Sequence, residues 1–133
     1  MPPGSYITVL LASAVLLGVP VAAAARGGGN GDRVRAAGTC GGGVRSEIKL
    51  KPDDGAIEAE FEVHQARGGS AWRVVMVQEG RVVWRATVRT ARATGAFTVA
   101  RRLRDLPGAD RVSIRAAGPQ GVSCRASATL PGA

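Results

Sequence analysis

Glu58, Glu60 and Glu62 recur at every second position, with His64 next in the same phase. On an extended strand such residues project from one face, so three carboxyls and an imidazole share a side. Two carboxyls so placed are the minimum for general acid and base work, as in glycoside hydrolysis, provided their surroundings push their pKa values apart. The residues between them, Ile57, Ala59, Phe61 and Val63, are all apolar. That alternation describes a strand with core on one side and water on the other, and nothing in the sequence supplies an apolar pocket for one carboxyl. The glutamates read as a solvated strand face. His64 is the single histidine of the chain, and an imidazole with no nucleophile or orienting group beside it does not assemble a catalytic set. No enzyme is expected, and no catalytic residue is assigned.

Two other groupings have ligand chemistry. Asp53-Asp54-Gly55 offers oxygens to a hard cation, but calcium takes six to eight of them, and Pro52-Asp53-Asp54-Gly55 is already explained as a turn. Cys40 and Cys124 are the two cysteines of the chain. A catalytic thiol needs a partner base and a metal site needs more ligands, so one intramolecular disulfide in an oxidising compartment is the expectation. Closing so long a loop stabilises by roughly 4 kcal/mol in the chain-entropy treatment. Neither a metal nor a cofactor is expected.

Charge is the feature that exceeds composition. The formal net charge is +8, carried almost wholly by arginine, with lysine only at Lys49 and Lys51. Residues 44–64 carry six acidic and three basic side chains, whereas residues 65–125 carry twelve arginines against Glu79, Asp105 and Asp110. Arg73, Arg81, Arg85 and Arg89 fall on one outward phase of two consecutive strands, and Arg115 and Arg125 join them if the last two strands share that sheet. The expectation is a basic sheet face opposite an acidic one. Such a face attracts nucleic acid, anionic lipid or wall polymer. Exposed aromatics that would stack on bases are missing, which favours an anionic envelope polymer or a protein partner over nucleic acid. Opposite faces also allow association between copies of the chain. The competing explanation is a solubilising surface coloured by an Ala-, Gly-, Arg- and Val-rich genome.

The elements that must position these residues are strands. Period-two alternation dominates from Thr39 onward, with no convincing helical period. Val44–Lys51 forms a first strand and Ile57–His64 a second. Trp72, Val74 and Met76 mark a third, and Glu79-Gly80 turns it into a fourth with Val82, Trp84, Ala86 and Val88. Phe97, Val99 and Leu103 give a fifth. After the Leu106-Pro107-Gly108 corner, Val112, Ile114 and Ala116 give a sixth, and past Gly118-Pro119-Gln120-Gly121 a seventh carries Val122, Cys124, Ala126 and Ala128. Hydrophobic residues make up 45% of the chain and aromatics 4%, so the core is built from small side chains with Trp72 and Trp84 as anchors. The fold class is all-β: a seven-stranded antiparallel two-sheet sandwich.

The order of turns, the tryptophan on the third strand, and Leu106-Pro107-Gly108-Ala109-Asp110 leading into Val112-Ser113-Ile114-Arg115-Ala116 resemble a fibronectin type III or immunoglobulin-like domain over residues 39–130. The chain is also similar to small secreted proteins of high-GC bacteria. Two departures stand out. The only tyrosine is Tyr6, so no tyrosine corner precedes the sixth strand, and the cysteines do not lie on the second and sixth strands as in antibody domains. The resemblance implies a fold and brings no site residues with it.

From Tyr6 to Ala25 there is no charge, and an apolar run ends in Pro20 and a series of alanines. This is the pattern of a secretory signal over residues 1–25, with cleavage after Ala24 or Ala25. Its first residues lack Lys and Arg, and the run just reaches spanning length, which keeps an uncleaved N-terminal anchor as the alternative. No cysteine follows the run directly, against a lipid anchor, and Leu130-Pro131-Gly132-Ala133 lacks the rest of a wall-sorting signal. Residues 26–38 are Gly-rich and polar and read as a flexible tether, followed by the sandwich at 39–130. The expectation is a secreted, extracytoplasmic, non-enzymatic binding or structural domain. The alternative is an accessory or inhibitor module of a secreted hydrolase.

Overall fold

In a computed structural model of the protein, which describes residues 33–132, the alternating segments are strands. The expected signal over 1–25 and most of the expected tether lie outside the described residues. Ile48, Leu50 and Ser46 turn inward from β3 (Arg45–Asp53), and Ile57, Ala59, Phe61 and Val63 turn inward from β4 (Ala56–His64). The two form a hairpin in which Asp53 pairs with Ala56. Its two-residue loop, Asp54-Gly55, has positive φ at both positions, the mirror-image turn whose twist matches the flanking strands. Pro52 sits inside β3 opposite Ile57 rather than in the loop. The neighbouring strand β1 (Val34–Ala37) reaches only as far as Leu50, so the missing N–H of Pro52 leaves no gap in the ladder.

Glu79-Gly80 repeats the same two-residue turn between β5 (Ala71–Gln78) and β6 (Arg81–Arg89). The remaining strands are β2 (Thr39–Cys40), β7 (Phe97–Arg104), β8 (Asp110–Ala117) and β9 (Ser123–Leu130). A four-stranded sheet runs β1-β3-β4-β7 and a five-stranded sheet runs β2-β9-β8-β5-β6, with every pairing antiparallel. Hairpins stay within a sheet, whereas the β1–β2, β2–β3, β4–β5, β6–β7 and β7–β8 connections cross between sheets. The result is a two-sheet β-sandwich.

All seven strands expected from the sequence are present, as β3 to β9, but the described residues hold nine. The correction falls on 34–40, of which 34–38 read as tether. Val34 and Ala36 pack against the core while Arg35 points outward, and β1 edges the four-stranded sheet. One residue beyond its end, β2 edges the other sheet. The chain passes from one sheet to the other at Gly38, whose N–H donates to Ser46 O at 2.9 Å. A side chain at Gly38 would run into Ser46 Oγ and lie 2.8 Å from the Arg125 carbonyl, so only glycine permits the crossing. Four alternating residues ahead of a glycine are too short a run to outweigh the Gly-rich composition before them.

The core lies between the sheets. Trp72 stands at its centre with Phe97 and Phe61 in a tilted chain, ring centroids 5.9 and 6.0 Å apart, the offset geometry aromatic pairs prefer. The Trp72 indole N–H donates to Ser70 Oγ at 3.2 Å. Trp84 has a different place: it is half-buried, and the Arg101 guanidinium lies over its ring at 5.4 Å. It closes the lateral opening between the edge strands β6 and β7 instead of anchoring the core.

Candidate functional site

The outer face of the four-stranded sheet carries the glutamates. In register Lys49 stands opposite Glu60, and Lys51 opposite Glu58. Lys49 Nζ lies 3.6 Å from Glu47, 3.8 Å from Glu60 and 3.7 Å from Glu62, and Lys51 lies 3.4 Å from Glu58. Arg35 adds a pair to Glu47 at 3.7 Å and Arg102 one to Asp53 at 2.7 Å. The face expected to be acidic is therefore a ladder of alternating charge whose positive and negative groups offset one another.

Within it Glu60 and Glu62 behave differently. The carboxyl of Glu62 hydrogen-bonds to Glu60 and, together with partial burial, raises the Glu60 pKa against the opposing pull of Lys49. The same contact with Glu60, and one with His64, lowers the pKa of Glu62. His64 Nε2 is 3.2 Å from Glu62 Oε2. Two carboxyls pushed apart is the electrostatic half of an acid–base pair, but here both oxygen sets face Lys49 on an open strand surface. Asp53, a ligand candidate in the sequence, is held by Arg102, which also donates to the Asp54 carbonyl at 3.3 Å. Among the described residues no group of three or more His, Cys, Asp or Glu side chains could hold a metal ion.

Cys40 and Cys124 are joined. They are direct partners in the β2–β9 ladder, with Cα atoms 4.2 Å apart, and Cys124 is buried. The bond staples neighbouring strands of one sheet and does not cross between sheets.

The outer face of the five-stranded sheet is basic. Across it the register places Arg85 opposite Val75, Val75 opposite Arg115, and Arg115 opposite Arg125. One row perpendicular to the strands thus carries three arginines over β6, β5, β8 and β9. Arg73 lies two residues along β5, between Thr87 and Ala117. These four arginines surround a trough of about 580 Å³, with Val75, Ala117, Thr87 and Ser123 in its lining. A second depression of about 380 Å³ shares Arg115 and Arg125 and adds Arg111.

Four of the six arginines singled out in the sequence thus come together, and two do not. Arg89 keeps the outward phase, but its Nη1 donates to the Gly69 carbonyl at 3.2 Å, away from the trough. Arg81 is on the wrong phase. The register between β5 and β6 slips between Met76 and Val77, so that Trp84 pairs with Met76, Val82 pairs with Val77, and Val83 is the extra residue. Such a bulge resets the alternation, and Arg81 ends opposite the buried Gln78. Arg111, not among those six, joins the same face, as its spacing of four from Arg115 requires of a strand.

None of Arg73, Arg85, Arg111, Arg115 or Arg125 has a carboxylate within ion-pair distance among the described residues. Like charges directly opposite, as at Arg115 and Arg125, weaken a sheet. Local rules broken without a local gain are a mark of binding surfaces. Among the described residues no helix is long and apolar enough to cross a membrane. Compared with known proteins, the chain matches no family model, no curated sequence and no solved structure.

Proposed function

We propose that the chain is an exported, non-catalytic β-sandwich whose arginine trough contacts an anionic partner in the cell envelope. The observation that carries this reading is the asymmetry between the two faces: carboxylates and amines offset each other on one, while the other gathers Arg73, Arg85, Arg115 and Arg125 with no counter-charge among the described residues. A basic concavity of this kind raises the local concentration of anions. Export is supported by the Cys40–Cys124 bond, which belongs to an oxidising compartment, and by the apolar, alanine-ended run that begins the sequence. In finer detail the sandwich is read as fibronectin type III-like or immunoglobulin-like, on the three in-sheet hairpins and the crossings between them. Its bond between neighbouring strands and its lack of a corner tyrosine set it apart from antibody domains.

A protein partner, and with it the accessory or inhibitor role, is favoured by one observation: Val82 and Val83 are 49% and 41% exposed on the edge strand β6. Exposed apolar side chains beside a polar rim mark protein contacts. Association through opposite faces loses its basis, because the glutamate face has little charge left to offer.

The test is retention on isolated cell envelope at low and high salt. The natural chain is expected to bind at low salt and be released as salt rises, and Arg85→Glu/Arg115→Glu to stay unbound. Binding indifferent to both salt and the double substitution would overturn the proposal.

A further inference from the structure

Resting on that reading, we infer that the trough is built for a chain of acyclic polyol units joined by phosphodiesters, lying across the strands from β6 to β9. Three observations set the chemistry. The first is the grouping of charge. Arg115 and Arg125 are direct neighbours on β8 and β9, and Arg73 on β5 is diagonal to both Arg85 on β6 and Arg115 on β8. With strands spaced about 4.8 Å apart, Arg85 stands two steps, roughly 10 Å, from Arg115 in the same row, with Arg125 one step beyond. The trough therefore spreads its cations along a row, and a ligand that meets them all must carry its anions on one tether.

The second observation is that Arg115 and Arg125, as direct cross-strand neighbours, stand close enough for two guanidiniums to share one anion. A planar carboxylate is matched by one guanidinium fork. A tetrahedral phosphate presents oxygen lone pairs in more directions, so two forks can share one group. Arginine at all four positions fits this bidentate geometry.

The third concerns what the floor withholds. The trough lies on the face of the sheet over β5 and β8, each paired on both sides, so their backbone donors and acceptors are consumed in the ladder. An acidic peptide laid here finds no main-chain partners for its amides. Nor is there a platform for sugar rings or bases: Trp72 is buried and Trp84 lies beneath Arg101. What the floor does supply is the hydroxyl-bearing pair Thr87 and Ser123 beside the apolar Val75 and Ala117. Hydroxyls suit the free hydroxyls of a polyol, and a flexible chain without rings needs no stacking surface.

The experiment is a titration of the full chain with poly(glycerol phosphate) and, separately, with poly-L-glutamate of equal charge number at low salt. The phosphodiester chain is expected to bind at least about tenfold more tightly, the scale of one strong charge-assisted contact. Arg115→Lys/Arg125→Lys keeps the charge but removes the forks. That variant should melt as the natural chain does, still bind poly-L-glutamate, and lose most of the preference. Equal affinity for the two polymers overturns the phosphodiester assignment and leaves the anionic contact surface standing, and a preference that survives the lysine variant overturns the part given to the forks of Arg115 and Arg125. Failure of both polymers to bind overturns the contact surface as well.

Discussion

The side-chain amide of Gln78 donates to Asp110 Oδ1 at 2.9 Å inside the sandwich. The same nitrogen donates to the Arg104 carbonyl at 2.7 Å, and the Leu106 N–H reaches Asp110 at 3.4 Å. Gln78 is on β5, Arg104 ends β7 and Asp110 begins β8, so this one cluster pins the β7–β8 crossing to both sheets. Both side chains are buried, and a buried donor left without its acceptor costs about 1–3 kcal/mol. Asp110→Ala is expected to lower the unfolding free energy by that amount in a urea titration. Combined with Gln78→Ala in a double-mutant cycle, the two losses should sum to more than the double variant loses, because they share a partner.

Removing the disulfide tests a different part of the fold. Cys40→Ala/Cys124→Ala releases a cross-link spanning 84 residues of sequence and is expected to cost roughly 4 kcal/mol in the chain-entropy treatment. Because β2 has only two residues, fast amide exchange should appear first at Thr39 and residue 40 of the variant and at their β9 neighbours. Exchange in the β3–β4 hairpin should stay slow at the same denaturant concentration.

The glutamate ladder predicts opposite pH effects at adjacent positions. Glu62, lowered by its contacts with Glu60 and His64, stabilises the fold above the ordinary glutamate range, and that contribution is lost as pH falls through its depressed value. Glu60, raised mainly by its contact with Glu62, works the other way: its ionisation opposes folding once pH exceeds the unfolded value. At neutral pH, Glu62→Gln should therefore lower the melting temperature and Glu60→Gln leave it equal or higher. Each difference should stay within about 1 kcal/mol on this open face and shrink in acid. Melting curves between pH 3 and pH 7, on the order of the glutamate range, check the signs.

Stability and binding should part company at Arg115. It faces Arg125 directly, and replacing one of two opposed like charges with an opposite one gains roughly 0.2–1 kcal/mol in a sheet. Arg115→Glu is expected to raise the melting temperature while abolishing retention on the envelope. Normal binding would remove Arg115 from the contact surface, and a destabilised variant would mean that the repulsion between Arg115 and Arg125 is not felt.

Much of this was legible in the sequence because period two is a strong signal wherever one face is buried. β3 to β9 follow from it, as do the Asp54-Gly55 and Glu79-Gly80 turns. What escaped was decided by pairing. β1 and β2 are short and become strands only because β3 and β9 offer them free edges. Arg81 left the basic face through one extra residue at the Val83 bulge, a slip that no alternation within β6 announces. The ladder at Lys49 and Lys51 needed the register of β3 against β4, which places each lysine opposite a glutamate. Arg115 and Arg125 could be assigned to one face from phase alone, but their direct opposition required knowing that β8 and β9 are neighbours.

The clasp formed by β1, Gly38 and β2 also determines how the domain bears load. A pull applied through the two ends of the chain reaches Cys40 and Cys124 before it reaches anything between them, and the covalent bond carries it. Residues 41–123 lie inside a closed loop that tension cannot lengthen. Stretching can peel β1 from β3 and draw out the few residues beyond Cys124, and then it must stop. Under tension in an oxidising environment, Arg73, Arg85 and Arg115 lie within that loop and would keep their places in the trough, whereas Arg125, just beyond Cys124, is on the segment that can be drawn out.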